Sequence, residues 1–205
     1  FDEEACAVLK QFVELKCRLM PYLYRQAVIS HENGTPMMRP MFVEFPADRS
    51  CEPLDRQYML GDNLLVAPVF KASGEVEYYL PEGDWINLLT RATAAGGRWH
   101  KETHDYFSLP LMVRPDSILA VGNCGTRPDY EFYDGVTLYL PVFTDGGEGR
   151  TEVTDLQGRT VMTARAKRTG KVIDLFVASE SDHWQYELLG EQDVEVVCHT
   201  GRDRG

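Results

Sequence analysis

The hydrophobic pattern of this chain changes from a helical period to a strand period near residue 36. Before that point, apolar residues recur at spacings of three and four in two adjacent rows, which predicts an amphipathic helix with a wide buried stripe. The two rows are Val8, Phe12, Leu15, Leu19 and Tyr22, and Leu9, Val13, Cys17 and Met20. A stripe of this width requires packing partners on more than one side of the helix.

Local signals set the limits of the predicted helix. Asp2 is a suitable N-cap, and Glu3 and Glu4 place negative charge at the positive end of the helix dipole. Pro21 lacks an amide donor, so we expect it to kink or restart the helix. Gly34 is typical of a helix C-terminus.

Beyond this helix, the pattern predicts β structure almost to the end of the chain. Met41, Val43 and Phe45 occupy alternate positions, which predicts a first strand. Asp134-Gly135 stands between two apolar segments, 130–133 and 136–140, and predicts a β-hairpin. Further candidate strands, separated by turn residues, are 64–70, 76–80, 109–114, 118–121, 152–154, 160–165, 172–177, 184–189 and 193–198. We therefore predict a mainly β chain with an N-terminal helix and two antiparallel β modules, divided near 117–125.

The composition excludes several classes of protein. The chain has 205 residues and a formal net charge of −11, which repels nucleic acids and anionic membrane surfaces. The apolar fraction of 43% is too high for wholesale disorder. The longest apolar run, 64–70, is far shorter than the roughly 18 residues of a membrane-spanning helix, so we expect no membrane partner.

The cysteines indicate a reducing compartment. They are odd in number, widely scattered and never in a Cys-x-x-Cys arrangement, which favours free thiols over a disulfide framework or a zinc ribbon. They are Cys6, Cys17, Cys51, Cys124 and Cys198. A cytoplasmic protein fits this pattern. The chain begins Phe1-Asp2-Glu3 with neither an initiator Met nor a signal segment, which favours a piece of a longer protein.

No motif in the sequence assembles an active site. His100 and His104 have metal-ligand spacing, but the glycines and Trp99 before them argue against a helix, and a solvated hairpin tip is the better interpretation. The chain contains no Gly-x-Ser-x-Gly elbow, so a serine triad is not indicated. The glycines of 145–149 do not connect a strand to a helix, and indicate an exposed acidic turn rather than a phosphate loop.

Two further groups of side chains have possible roles. Aromatic faces can stack on the apolar face of a sugar ring, although core packing is the commoner role; the candidates are Trp85, Trp99, Tyr130, Phe132, Tyr133 and Trp184. Glu180 and Asp182 are close enough in sequence for acid–base work, but solvated surface charge is the simpler interpretation.

Several segments resemble the end of the catalytic barrel of glycoside hydrolase family 31 and the domains that follow it. They are LKCRLMPYLYR (15–25), GTPMMRP (34–40), FPAD (45–48), DRQYMLGDNLLVAPV (55–69) and YLPEGDW (79–85). GRWHK (97–101) and RPDY (127–130) resemble the bacterial α-xylosidase branch of that family. The resemblance is dense from residue 1 to about 146 and weaker afterwards.

The resemblance implies three parts. Residues 1–36 would be the last helix of a (β/α)8 barrel, 37–118 a proximal β domain, and 119–205 a distal β-sandwich domain. The fold expected is thus the end of a barrel followed by two antiparallel β-sandwich-like domains. The whole enzyme would be a cytoplasmic retaining α-glycosidase that removes terminal α-linked xylose from xyloglucan-type oligosaccharides.

The same resemblance implies that this chain is itself inactive. The two catalytic aspartates of the family lie on earlier barrel strands, and the family nucleophile follows a Trp or Lys by two residues, a position that no Asp occupies here. The family also has a His-Gly pair, but none of the five histidines precedes a glycine. We therefore predict no catalytic, cofactor-binding or metal residues in the chain, no cofactor, an oligosaccharide bound through the barrel, and a homo-oligomeric enzyme.

Three alternatives remain open at this point. The first is the corresponding part of an α-glucosidase of the same family. The second is a carbohydrate-binding module, which would expose aromatics such as Trp85 and Trp184 in a row instead of burying them. The third is an oligomerisation module, which sizing at two protein concentrations would reveal.

Overall fold

The computed structural model describes residues 2–201 and begins with two helices, α1 (Glu3–Arg18) and α2 (Met20–Asn33). The Asp2 carboxylate caps α1 by accepting a 2.8 Å hydrogen bond from the Ala5 amide. Pro21 lies in the first turn of α2, where its missing amide donor does no harm. Gly34 ends α2 in the left-handed conformation, with φ of 76°. The predicted restart at Pro21 and stop at Gly34 are confirmed.

The remaining described residues form mainly strands. Two short helical turns interrupt them, α3 (Met41–Glu44) and a 3-10 turn (Arg49–Cys51). The strands are β1 (Met38–Pro40), β2 (Tyr58–Leu60), β3 (Leu64–Val66), β4 (Glu75–Leu80), β5 (Asp84–Asn87), β6 (Thr93–Ala95), β7 (Arg98–Thr103), β8 (Leu111–Val113), β9 (Leu119–Val121), β10 (Val136–Leu140), β11 (Glu148–Thr154), β12 (Thr160–Thr169), β13 (Val172–Ser179), β14 (Trp184–Leu188) and β15 (Glu195–Gly201). The prediction of a mainly β chain with N-terminal helical structure is confirmed.

The strands make several small sheets. Before β9, a six-stranded sheet has the order β1-β2-β3-β8-β5-β6, and β4 and β7 form a separate ribbon. From β9 onward, a three-stranded sheet has the order β14-β10-β9 and a four-stranded sheet the order β11-β12-β13-β15. Strands β10 and β14 are parallel, as are β13 and β15. The prediction of purely antiparallel modules is therefore wrong in this half of the chain, where both sheets are mixed.

Two local predictions are also wrong. The segment predicted as a strand at 41–45 contains α3, with Met41 buried and Phe42 and Val43 about half exposed. The amide of Phe45 donates to the Met41 carbonyl and closes a helical turn, so no face alternates. Asp134-Gly135 does not join a hairpin, because β10 pairs with β9 and β14 and the Gly135 amide bonds to the carbonyl of His183.

Three groups of buried residues hold these sheets together. One lies between the three-stranded and four-stranded sheets around Phe132 and Phe143, and another under β4 and β5 around Tyr78 and Trp85. The third joins the α1–α2 junction and α2 to both halves of the β structure, and Leu15 of α1 packs against it while partly buried. It is Leu19, Tyr22, Leu64, Val66, Ile86, Leu88, Leu111, Val113, Leu119, Val121, Tyr139 and Leu189. The helices and both β modules thus share this hydrophobic core. The division into 1–36, 37–118 and 119–205 stays a prediction.

Candidate functional site

A buried ionic cluster lies where α2 meets β1 and the β2–β3 turn. Arg39 is 4% exposed and stands between two carboxylates, with its Nη1 2.7 Å from Asp62 Oδ1 and 3.0 Å from Glu44 Oε1. Its Nη2 donates to Gln26 Oε1 at 3.1 Å, and its Nε donates to the Pro36 carbonyl at 2.8 Å. Burial favours loss of the proton, but the charges and hydrogen bonds of Asp62 and Glu44 outweigh it and raise the pKa of Arg39. The two carboxylates therefore share one fixed cation.

Tyr22 extends this cluster into the protein. Its hydroxyl donates to the Leu60 carbonyl at 2.6 Å and accepts from the Asn63 amide at 2.9 Å. The Asn63 side chain in turn donates to the Ile118 carbonyl at 3.0 Å, across 55 residues. Burial raises the pKa of the Tyr22 phenol, so the hydroxyl remains protonated. Because the Arg39 guanidinium, both carboxylates and the Tyr22 hydroxyl are all paired within the protein, the cluster is a structural junction rather than a site of acid–base chemistry.

The two candidate metal ligands are engaged in other contacts. His100 lies in β7, stacks on Tyr78 with ring centroids 5.4 Å apart, and bonds to the Ala95 carbonyl at 2.8 Å. His104 bonds to Glu102 Oε2 at 2.9 Å and to Ser108 Oγ at 3.0 Å. The interpretation as a solvated hairpin tip is wrong, because this segment is the second strand of an ordered ribbon. Within residues 2–201, no group of three or more His, Cys, Asp or Glu side chains is placed to hold a metal ion.

The six candidate sugar-stacking aromatics do not form an exposed row. Trp85 is fully buried and donates its indole N–H to the Pro81 carbonyl at 2.8 Å. Tyr130 and Phe132 are also buried, and their rings meet edge to face at 5.1 Å. Tyr133 and Trp184 are half-buried, whereas Trp99 is 53% exposed. Burial excludes stacking on a sugar for Trp85, Tyr130 and Phe132.

The other predicted surface features lie in turns. Glu180 and Asp182 are exposed in the β13–β14 connection. The acidic turn predicted at 145–149 is shorter than expected: Gly146 occupies the left-handed region with φ of 82°, but Glu148 begins β11 and Gly149 is buried.

Sequence reasoning missed one unusual arginine. Arg91 has a positive φ of 65°, and its guanidinium carbon lies 4.5 Å above the centre of the Tyr139 ring. Its Nη2 is 3.2 Å from Glu187 Oε1, while its buried Nη1 has no hydrogen-bond partner among the described residues. The aromatic face supplies partial compensation for that missing acceptor. Arg91 therefore ties the β5–β6 turn to β10 and β14, a connection that no local pattern predicts.

Two comparisons with protein families cover most of the chain. Residues 34–119 match the model described as the glycosyl hydrolase family 31 C-terminal domain. Residues 131–204 match the model described as the C-terminal domain of the α-xylosidase YicI. Both models describe C-terminal domains, in the order expected from the resemblance. In addition, no helix within residues 2–201 is long and apolar enough to span a membrane.

Individual relatives agree with the family models. An α-xylosidase of Emericella nidulans is 37% identical over 206 residues, covering 97% of this chain and 24% of the relative. Alpha-glucosidase 2 of Bacillus thermoamyloliquefaciens is 32% identical over 199 residues, covering 96% of this chain and 23% of the relative. The solved family 31 dextranase of Flavobacterium johnsoniae, complexed with glucose, is 27% identical with a TM-score of 0.75, covering 83% of this chain and 22% of that chain. The chain spans about a quarter of the length of the curated relatives that it matches.

Proposed function

Because the chain belongs to glycosyl hydrolase family 31, we propose that it is the non-catalytic C-terminal part of a retaining α-glycosidase of the α-xylosidase type. The observation that carries this proposal is the 37% identity to an α-xylosidase over nearly the whole chain. The substrate would be a terminal α-linked xylose of xyloglucan-type oligosaccharides. An α-glucosidase is the second candidate, favoured by the 32% identity to alpha-glucosidase 2.

The work of this chain would be to support a catalytic barrel that supplies the two carboxylates. In a retaining glycosidase, one carboxylate attacks the sugar and the other donates and then accepts a proton. Both must be held rigidly, because small errors in position cost large factors in rate. The Arg39 cluster and the core shared by α1, α2 and both β modules give the rigidity that such support requires.

The outward face of α1 is the surface that would contact the barrel. Leu9 is 66% exposed and Val13 is 47% exposed, whereas Cys17 near the end of α1 and Leu19 just after it are buried against the rest of the chain. Leaving such apolar side chains in water is unfavourable, since burying each fully is worth roughly 1.5–3 kcal/mol. This agrees with the proposal that residues 1–36, which form α1 and α2, are the last helical part of the barrel. Cytoplasmic location and a homo-oligomeric whole enzyme are part of the same proposal.

Activity assays test the proposal. We expect the purified chain to release no xylose from an aryl α-xyloside, and the longer polypeptide with a family 31 barrel to release it with retention of configuration. Faster hydrolysis of the α-glucoside than of the α-xyloside would favour the second candidate. Hydrolysis by the chain alone that disappears when one of its own carboxylates is replaced would overturn the proposal.

A further inference from the structure

Trp99 is a large aromatic side chain that lies outside the hydrophobic core. It lies in β7 opposite Tyr79 of β4, and the two rings are tilted with centroids 5.9 Å apart. Tyr79 is itself fixed, because it is 6% exposed and its hydroxyl donates to Asp48 Oδ2 at 2.9 Å. Trp99 is thus supported from one side and still 53% exposed. Its indole N–H has no acceptor within the described part of the chain, and is available to a ligand.

A small cleft opens beside this ring. It has a volume of about 190 Å³, and Phe70, which is 70% exposed, contributes a second aromatic side chain. The other apolar lining residues are Pro53, Leu54, Pro68 and Val76. Sites for drug-sized ligands usually measure about 300–1,000 Å³. This cleft therefore suits a single ring-sized group better than a helix or a folded segment.

The charges in and beside the cleft balance one another. Three carboxylates and two cations line it, and a third cation, Lys101, lies beside it. Glu75 Oε1 lies 2.8 Å from Lys101 Nζ, and its other carboxylate oxygen lies 3.6 Å from Lys71 Nζ. Arg56 Nε lies 4.0 Å from Asp55 Oδ1. Because the charges in and beside the cleft sum to zero, the cleft has little preference for an ion. It offers carboxylate acceptors and cationic donors around an aromatic platform, which together match the hydroxyls and the apolar ring face of a neutral sugar.

We propose that the cleft between Trp99 and Phe70 binds one pyranose unit of a neutral oligosaccharide, stacked on the Trp99 ring. Glu77 lines the cleft, and its carboxylate makes no hydrogen bond to another described residue, so it is placed to accept from a sugar hydroxyl. The choice of an α-linked oligosaccharide rests on the proposed function. The choice of a pyranose ring rests on the shape and chemistry of the cleft alone. The chain would then carry a sugar-binding site of its own.

Direct binding to the isolated chain tests this proposal. The probes are isomaltotriose and a xyloglucan heptasaccharide, followed by tryptophan fluorescence and by calorimetry. We expect a Kd of about 1 mM. Trp99→Ala should weaken binding by about tenfold, the loss expected for one aromatic contact. Phe70→Ala should weaken it less.

A matched control is Tyr106→Ala, which removes a side chain that is 74% exposed and does not line the cleft. It should leave the Kd unchanged, and near-identical melting curves would show that all variants fold. Absence of saturable binding, or equal binding by the Trp99→Ala variant, would overturn the proposal. So would protection of Trp99 from iodide quenching in the longer enzyme without sugar, since protein would then cover the cleft.

The result of the binding experiment does not depend on whether the proposed function is correct. Binding to the isolated chain needs no hydrolysis, so an inactive longer enzyme with intact binding would contradict only the proposed function. Hydrolysis by the longer enzyme, without sugar binding by this chain, would contradict only the cleft.

Discussion

The Tyr130 hydroxyl donates a 2.9 Å hydrogen bond to the carbonyl of Cys17, across 113 residues of chain. That carbonyl lies at the end of α1, just before the helix restarts as α2. The Tyr130 ring packs on Phe132, which in turn packs against Tyr24 of α2 at 5.4 Å. The break between the two helices is therefore fixed to the β structure that follows β9.

Tyr130→Phe should lower the free energy of unfolding by about 1 kcal/mol, because it removes a buried hydrogen bond while retaining the ring. Urea denaturation measures the change. Tyr133→Phe is the matched control, since its hydroxyl bonds to the neighbouring Glu131 at the exposed surface. An equal loss in both variants would contradict the role assigned to the Tyr130 bond.

Arg39→Met should lower the free energy of unfolding more than Tyr130→Phe does. It leaves Glu44 and Asp62 without their shared cation, and we expect a loss of about 2–3 kcal/mol, moderated because the Asp62 side chain is half exposed. Arg56→Met removes an exposed arginine with a weak ion pair, and should change stability by less than about 0.5 kcal/mol. Urea denaturation that gave equal effects would show that the buried cluster is not a junction.

The ionised Asp155 side chain should stabilise the fold, and this stabilisation should be lost at low pH. Burial opposes its ionisation, but hydrogen bonds from the Arg159 amide and side chain and from the Gln157 amide outweigh burial and hold the pKa of Asp155 below its usual value. A carboxyl with a lowered folded pKa stabilises fully above its ordinary pKa of about 3.9, and the contribution is lost as the pH falls through the lower folded value.

Asp155→Asn should accordingly lower the Tm at neutral pH, and the difference from the parent chain should disappear in strong acid. Thermal melts across the pH range measure this. Asp129→Asn, at an exposed carboxylate with no hydrogen bond to another described residue, should show no such dependence. A Tm difference for Asp155→Asn that is independent of pH would contradict the assignment.

The five cysteines are free in the structure and should differ in reactivity. Hydrogen bonds from Thr126, with a smaller effect of Arg127, lower the pKa of the Cys124 thiol. Burial, assisted by Asp48, raises the pKa of Cys51 to about 11, and burial also raises that of Cys198. Because the thiolate is the reactive form, iodoacetamide should alkylate Cys124 faster than Cys198, and should alkylate Cys51, which is also buried, more slowly than either.

Mass spectrometry of tryptic peptides at short labelling times gives these rates. In urea the differences should vanish, since they arise from the folded environment. Alkylation of Cys51 as fast as Cys124 in the native chain would contradict the structure around both thiols.

Local signals were sufficient for the two N-terminal helices but not for the sheets. Asp2, Pro21 and Gly34 act on their own neighbours, so the helix limits were predictable. Strand β10 pairs with β14, which lies 44 or more positions further along the chain, and no local sequence pattern predicts a parallel partner at that distance. The segment 41–45 has strand-like alternation, yet it forms a helical turn in which Met41 is fully buried and Phe45 packs, partly buried, against Trp85.

The candidate sites, like the sheets, could not be identified from local sequence alone. The sequence gives no reason to prefer one of the six candidate sugar-stacking aromatics over another. Only the difference in burial distinguishes the exposed Trp99 from the buried Trp85. The Arg39 cluster combines residues from four separate positions in the chain, so its formation depends on the fold. A weak signal was present, since Arg39 is charged but stands among Met37, Met38 and Met41.

Amide exchange combined with light scattering of the isolated chain tests the claim that α1 packs against a barrel outside this chain. We expect amides 5–12 to exchange much faster than those of β12, and the chain to self-associate as its concentration rises, through the exposed side chains of Leu9 and Val13. Leu9→Lys with Val13→Lys should abolish self-association without loss of stability. A strict monomer at high concentration, with amides 5–20 protected as strongly as β12, would contradict the claim.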